Sequence, residues 1–262
     1  MEADGCLVLR NVFDGVEVDG LRAGIEAAVA VAAAAEPDHE RTSAAGNRIV
    51  GTVALRGGPG TSVHWEAGGE VVRNLRPVAH LDDRLAACAT DPRLTGPAAT
   101  LLGTDGVALL TSKISYKRAG VGSGYIWHQD HSFLAAFLGA RAGAEAVTAM
   151  VFLDDADAGN GALRLVPGSH RGGPRPDGEG PRAGDAAAVT VDAAPGDVIV
   201  FPTLMLHSSG PNHSGRDRRA LLYLFQPPGR PHLDETPVAR ARPGRPPGSV
   251  PGRPRPRWTG RG

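Results

Sequence analysis

Cysteine is almost missing from this 262-residue chain: Cys6 and Cys88 are the only two, and their spacing suits neither zinc nor a redox pair. That excludes a disulfide framework and makes the cytoplasm the expected compartment. Aromatic residues are scarce at 5%, whereas Gly (36) and Pro (22) are plentiful, a balance that favours short elements joined by turns over a helical bundle. Long apolar runs are lacking as well. The most apolar stretch, residues 25–35, is mostly alanine, contains Glu26 and falls far short of the ~20 residues that a membrane span needs. The start, with Glu2 and Asp4, carries no signal-peptide pattern, so no membrane partner is expected.

Net charge is absent too, since 28 basic and 28 acidic side chains cancel, and nucleic acid is not an expected partner. The cancellation is uneven along the chain. Residues 227–262 hold 8 basic against 2 acidic side chains and 10 of the 22 prolines, which leaves 20 basic against 26 acidic in the first 226. A Pro/Arg/Gly-rich tail of this kind cannot bury enough apolar area to offset its ordering entropy and is expected to be disordered. Residues 1–226 are then one domain.

Within that domain, residues 6–10 read as a strand, residues 19–36 as a helix stopped by Pro37, and residues 81–102 as a helical stretch broken near Pro92 and closed by Gly103. The turn-rich region from about 40 to 75 gives no firm assignment. From residue 107 onward the chain changes to strands rich in Val, Leu, Ile and Thr, at 107–118, 124–130, 146–153, 162–166, 187–191, 197–206 and 219–226. Strands without alternating helices predict antiparallel sheets packed as a sandwich or barrel, with the early helices on one outer face.

Chemistry concentrates in Tyr125-Ile126-Trp127-His128-Gln129-Asp130. If the strand runs through residue 130, His128 and Asp130 share a face, and Trp127 packs between sheet and helices. An imidazole and a carboxylate supply two arms of a metal site, and His207, read as the end of the 197–206 strand, is the best candidate for the third. Two histidines and a carboxylate hold Fe(II) with coordination positions left open, which means catalysis rather than structure. A His-x-Asp pair alone is a common coincidence. Beyond His207 lie Arg216, Arg218 and Arg219 at the head of a strand, any of which could grip a carboxylate through two hydrogen bonds; alternation puts Arg219 opposite Arg218.

Taken with Gly159-Asn160-Gly161, Val166-Pro167-Gly168-Ser169-His170, Pro195-Gly196-Asp197 and His207-Ser208-Ser209-Gly210-Pro211-Asn212, the segment around His128 resembles the phytanoyl-CoA dioxygenase family. These are non-haem iron oxygenases dependent on 2-oxoglutarate. The resemblance covers roughly residues 105–226, with a weaker likeness in the N-terminal part. It implies a mainly β fold with flanking helices, the double-stranded β-helix or cupin-like jelly roll, with a helical part at about 15–103 and the barrel at about 105–226. Further implications are Fe(II), 2-oxoglutarate and O2 as cofactor and co-substrates, His128, Asp130 and His207 as iron ligands, and Arg218 on the distal carboxylate of 2-oxoglutarate, with Ser209 and Gln129 nearby. The implied activity is hydroxylation or another oxidation of a C–H bond in a small molecule, with release of succinate and CO2. Because Asp130 supplies a carboxylate, halogenation is disfavoured. Phe133, Leu134 and Phe137, in the segment after the His-x-Asp pair, form an apolar lid expected to contact substrate. Only 2 of 28 basic residues are lysine, a high-GC coding bias that points to bacterial secondary metabolism. The competing expectation is a non-catalytic jelly-roll binding or regulatory protein that retains the fold and metal site.

Overall fold

The computed structural model describes residues 4–43, 47–69, 71–230 and 232–233. In chain order the elements begin with β1 (Leu7–Leu9), α1 (Gly15–Ala33), β2 (Pro37–Thr42), β3 (Arg48–Thr52), β4 (Ser62–Trp65) and β5 (Val72–Arg76). Two more helices, α2 (Asp83–Ala89) and α3 (Pro92–Leu102), lead into β6 (Ala108–Lys117) and β7 (Tyr125–His128). Then come α4 (Asp130–Leu138), α5 (Ala140–Ala144), β8 (Val147–Phe152), β9 (Leu163–Leu165) and β10 (Val189–Thr190). The series closes with β11 (Val198–Pro202), β12 (His207–Ser209) and β13 (Arg218–Gln226).

These strands form two antiparallel sheets, a large one in the order β1-β11-β8-β13-β6-β5-β4-β3-β2 and a small one in the order β10-β9-β12-β7. Face to face they make the expected double-stranded β-helix. Met150, Phe152, Leu163, Ile199, Phe201 and Ala220 pack in one buried cluster between the sheets. On the other face of the large sheet, Leu21, Ile25 and Ala28 of α1, Leu85 of α2 and Leu94 of α3 pack against Ile114, Ala149 and Leu221. Each leucine or isoleucine buried there contributes about 1.5–3 kcal/mol, so the helices are integral to the fold.

Local signals explain where the elements start and stop. Asp14 caps α1 in a reciprocal box with Glu17, four residues earlier than the expected start, and the helix ends at Ala33. Pro37 stops nothing; it opens β2. The break between α2 and α3 falls where Pro92 begins a new helix behind the Asp91 cap, and Gly103 closes that helix in the left-handed region at φ 64°. The undetermined region resolves into four strands that extend the large sheet, β2 being exposed along its whole length.

Three expectations need correction here. The strand expected over 197–206 ends at Pro202, and a turn closed by Met205 N–H to the Pro202 carbonyl (2.8 Å) carries the chain to the small sheet, so His207 begins β12 instead of ending β11. Trp127 is not among the residues packed with the early helices; it lies against the loop at Gly180, with the Arg164 guanidinium 5.3 Å from its ring centroid. The ordered fold also continues past residue 226, since Leu233 is buried against Leu110, Leu134 and Leu224. The rest of the expected tail, residues 234–262, lies outside the described residues. Among the described residues no helix is long and apolar enough to cross a membrane.

Candidate active site

In the small sheet His207 of β12 sits directly opposite His128 of β7. Opposed residues of an antiparallel pair share a face, so the two rings meet with centroids 4.2 Å apart. Asp130 arrives differently from the strand alternation expected. The strand stops at His128, Gln129 takes the cap position, and Asp130 is the first residue of α4. This turn aims its carboxylate back at the histidines: Oδ1 lies 3.9 Å from Nε2 of each. One ligand atom from each of the three residues lies within 4.8 Å of the others.

Hydrogen bonds set these donors in a metal-binding state. His128 Nδ1–H donates to the Ile126 carbonyl at 2.8 Å, and His207 Nδ1–H donates to the Met205 carbonyl at 2.8 Å. A carbonyl only accepts, so the neutral form of each ring has Nε2 as the bare nitrogen facing Asp130. Burial, reinforced by the neighbouring His128, pulls His207 down to about 4, against the opposing pull of Asp130, and keeps it neutral at physiological pH. For Asp130, burial opposes ionisation, but His207, His128 and the Thr148 hydroxyl outweigh it and its pKa falls below the usual value. Thr148 Oγ1 donates to Oδ2 at 2.7 Å, leaving Oδ1 for an ion. Two imidazole nitrogens and one carboxylate oxygen, each with its other polar atom anchored, fit Fe(II).

Beside this group the cavity reaches inward to Arg218, which is 2% exposed. Its Nη2 donates to the Gly161 carbonyl at 3.1 Å, while Nε and Nη1 are buried with no hydrogen-bond partner. Burial lowers its pKa to about 10, so it stays charged at neutral pH. A buried guanidinium with orphaned donors fits an anion supplied from outside the chain. Neither competitor is available: Arg219 is paired with Asp154 at 2.9 Å outside the barrel, and Arg216 pairs with Asp157 at 2.7 Å on the surface. Ser209 lines the same cavity.

Other expected site residues lie elsewhere. Gln129 is buried with its amide spent on backbone: Nε2 donates to the Gly173 and Leu204 carbonyls at 3.1 and 2.6 Å, and Oε1 accepts from Arg175 N–H at 2.7 Å. It fixes the turn that aims Asp130 and does not line the cavity. Leu134 is fully buried in the core with Leu110 and Ala146, on the face of α4 away from the cavity. Phe133 and Phe137 are about two-fifths exposed on that helix with rings 4.8 Å apart, and the Arg76 guanidinium lies 4.1 Å from the Phe133 ring.

Sequence reasoning missed the cationic wall. Lys113 and Ser115 of β6 line the cavity with Tyr125, and Lys117 is buried next to it. The chain's only two lysines are four residues apart on one strand, a signal present in the sequence but read as coding bias. Burial alone would raise the Tyr125 phenol, but Lys113 and Arg73 more than offset it and pull it to about 8. Burial and the neighbouring Arg218 push Lys117 down to about 6.

A double-stranded β-helix with a His-x-Asp…His cluster at its mouth and, inside, a buried arginine with two unpartnered nitrogens is the architecture of a non-haem Fe(II), 2-oxoglutarate-dependent oxygenase. The chain belongs to the phytanoyl-CoA dioxygenase (PhyH) family, whose model matches residues 1–220. It is 30% identical to the L-proline trans-4-hydroxylase of Streptomyces griseoviridis over 205 residues, covering 68% of this chain and 74% of that protein. With the ectoine dioxygenase of Halomonas elongata it shares 39% identity over 106 residues, 40% of this chain and 31% of that one. The chain therefore spans a third to a half of the length of the ectoine dioxygenases it matches. Among solved structures, EctD from S. alaskensis with 2-oxoglutarate and 5-hydroxyectoine superposes with a TM-score of 0.65 at 24% identity, over 86% of this chain and 73% of that one. The epimerase SnoN from nogalamycin biosynthesis gives 0.61 at 23% identity, over 96% and 92%. These structural likenesses establish the fold. Enzymes of the family use Fe(II), 2-oxoglutarate and O2.

Proposed function

We propose that this protein hydroxylates, or otherwise oxidises, an unactivated C–H bond of a small molecule in bacterial secondary metabolism, converting 2-oxoglutarate to succinate and CO2. His128, Asp130 and His207 are the residues that hold iron. Arg218, with Ser209 beside it, receives the distal carboxylate of 2-oxoglutarate. The observation that carries this reading is the convergence of three prepared ligand atoms within 4.8 Å, in the same cavity as a buried guanidinium with two unpartnered nitrogens.

Fe(II), when bound, supplies the capacity to activate O2 at the expense of 2-oxoglutarate. The chain's own part is positional and electrostatic. The Ile126 and Met205 carbonyls hold the histidine tautomers, Thr148 orients Asp130, and Arg218 fixes the co-substrate from the closed end of the cavity. Met150, Leu163, Phe201 and Leu222 furnish apolar walls that keep bulk water from the reacting carbon.

The test is anaerobic addition of Fe(II) and 2-oxoglutarate, which should produce the visible charge-transfer band of the chelate, followed by a screen for small molecules that stimulate succinate release. No band in the wild type, or an undiminished band in His207→Ala, would refute the assignment.

A further inference from the structure

The cationic wall exceeds what the co-substrate requires. Three basic side chains lie against the Tyr125 ring, Arg73 at 4.0 Å from its centroid, Lys113 at 4.8 Å and Lys117 at 5.5 Å, and a fourth, Arg218, interacts electrostatically with the phenol. Among the described residues none of the four has a carboxylate partner. Arg73, Lys117 and Arg218 donate to the neutral carbonyls of Gly124, Gly210 and Gly161. Glu66, the carboxylate that acts on Lys117 electrostatically, accepts from the Ser123 N–H at 2.9 Å.

Charge accounting with the proposed occupants leaves a remainder. Fe(II) with Asp130 and the dianion of 2-oxoglutarate carries one net negative charge, which Arg218 cancels. Lys117 is largely neutral near pH 7. Lys113 and Arg73 are left over, and a half-buried basic group with no carboxylate partner is costly unless the bound state supplies one.

Strand register separates the two ends of the cavity. Arg218 lies opposite Lys117, whereas Lys113 lies opposite Leu222, four residues and roughly 13 Å further along the strand. Leu222 in turn faces Met150, one step from the Thr148–Leu224 row that anchors Asp130. Lys113 is thus at the iron end, away from the distal carboxylate site.

We propose that the oxidised substrate is an anion, and that Lys113 binds its carboxylate or phosphate group and orients the molecule over the iron. This inference rests on the oxygenase reading above. Because Lys113 touches substrate and not the distal end of 2-oxoglutarate, it selects the substrate and leaves co-substrate affinity to Arg218.

Calorimetry on the anaerobic protein loaded with Fe(II) and saturating 2-oxoglutarate tests it with two matched pairs, hexanoate against hexanamide and hexyl phosphate against hexanol. At least one anion should bind about tenfold or more tighter than its neutral partner, with the pair that responds identifying the group. Lys113→Gln should shrink that preference to below about threefold while changing the 2-oxoglutarate Kd by less than about threefold. No anion preference in either pair, absence of measurable binding included, overturns the proposal. So does a Lys113→Gln variant that loses 2-oxoglutarate affinity as severely as Arg218→Ala. Loss of the chelate band in the wild type would instead strike the oxygenase reading itself.

Discussion

Arg218 and Lys117 face each other directly across the β13–β6 pair, two buried basic side chains opposed in register. Burial, reinforced by the repulsion between like charges so placed, pushes Lys117 toward its neutral form while the guanidinium keeps its proton. The arrangement leaves one permanent, partly unpartnered cation at the closed end of the cavity.

Removing that cation should cost co-substrate binding above all. Truncating one partner of a buried charge pair costs about 2 kcal/mol or more. Arg218→Ala is therefore expected to raise the 2-oxoglutarate Kd by about 30-fold or more. Arg216→Ala, which loses only surface pairs to Asp155 and Asp157, should change it less than about twofold. Titration of the charge-transfer band measures both, and equal effects would refute the choice of Arg218.

Lys117 makes the stability of the apo protein depend on pH in a definite direction. Its pKa falls from 10.5 in the unfolded chain to about 6 in the fold, so between these values the unfolded state binds more protons. Stability from this group therefore rises as pH increases from about 6 toward 10.5, and its penalty is complete below about 6. Lys117→Met should flatten that rise. Urea unfolding at several pH values compares the slopes, and identical slopes in wild type and variant would exclude the effect.

In the proposed site Thr148 would act on iron only through Asp130. Its hydroxyl bond to Oδ2 leaves Oδ1 as the ligand atom, and Val at this position keeps the shape while removing the donor. Outer-shell partners of this kind are worth about 10–100-fold in metal affinity. Thr148→Val should weaken Fe(II) binding within that range, with Thr148→Ser restoring most of it. Competition with a chelator provides the measurement.

The residues of the proposed site were easier to pick out than the geometry that brings them together. His128, Asp130 and His207 stand out by residue type, but alternation along a continuous strand misplaced the reason: Asp130 faces the histidines because the chain turns into α4 after Gln129. Periodicity is blind to such a switch when a strand passes into a helix without a glycine or proline between them. The strands β2 to β5 escaped for another reason. Pro37–Thr42 is polar and exposed throughout, so it has no apolar face for a period-two pattern to mark. Its place in the sheet comes from hydrogen bonding to β3.

A glycine that the sequence did mark is Gly196, in the turn before β11. It adopts φ +89°, and an added Cβ would lie 2.1 Å from the Phe13 carbonyl oxygen. That same turn receives the Val12 and Phe13 N–H groups on the Gly196 carbonyl at 3.0 and 3.1 Å. Gly196→Ala must move backbone that joins the N-terminal segment to the barrel. A loss of about 2–4 kcal/mol is expected by chemical denaturation, whereas Gly215→Ala, with open space around its Cβ, should be close to neutral.

Leu233 is the last of the described residues and packs into the core, and shortening the chain there or earlier should give different outcomes. Leu233 is 5% exposed and packs with Leu110, Leu134, Ala146 and Leu224, while Arg230 pairs with Glu145 at the end of α5. A chain ending at residue 226 removes both contacts and uncovers Leu134 on α4, the helix whose first residue is Asp130. Losing one buried leucine costs about 1.5–3 kcal/mol, equivalent to roughly 3–12 °C in Tm for a domain of this size. A chain ending at residue 233 retains the packing and sheds only the Pro/Arg/Gly-rich segment, so its Tm should match that of the full chain within about 2 °C. Leu233→Ala in the full chain should reproduce most of the loss seen at 226. Calorimetric scans of the three proteins decide the matter: if the 226 and 233 chains melt together, Leu233 is not part of the core.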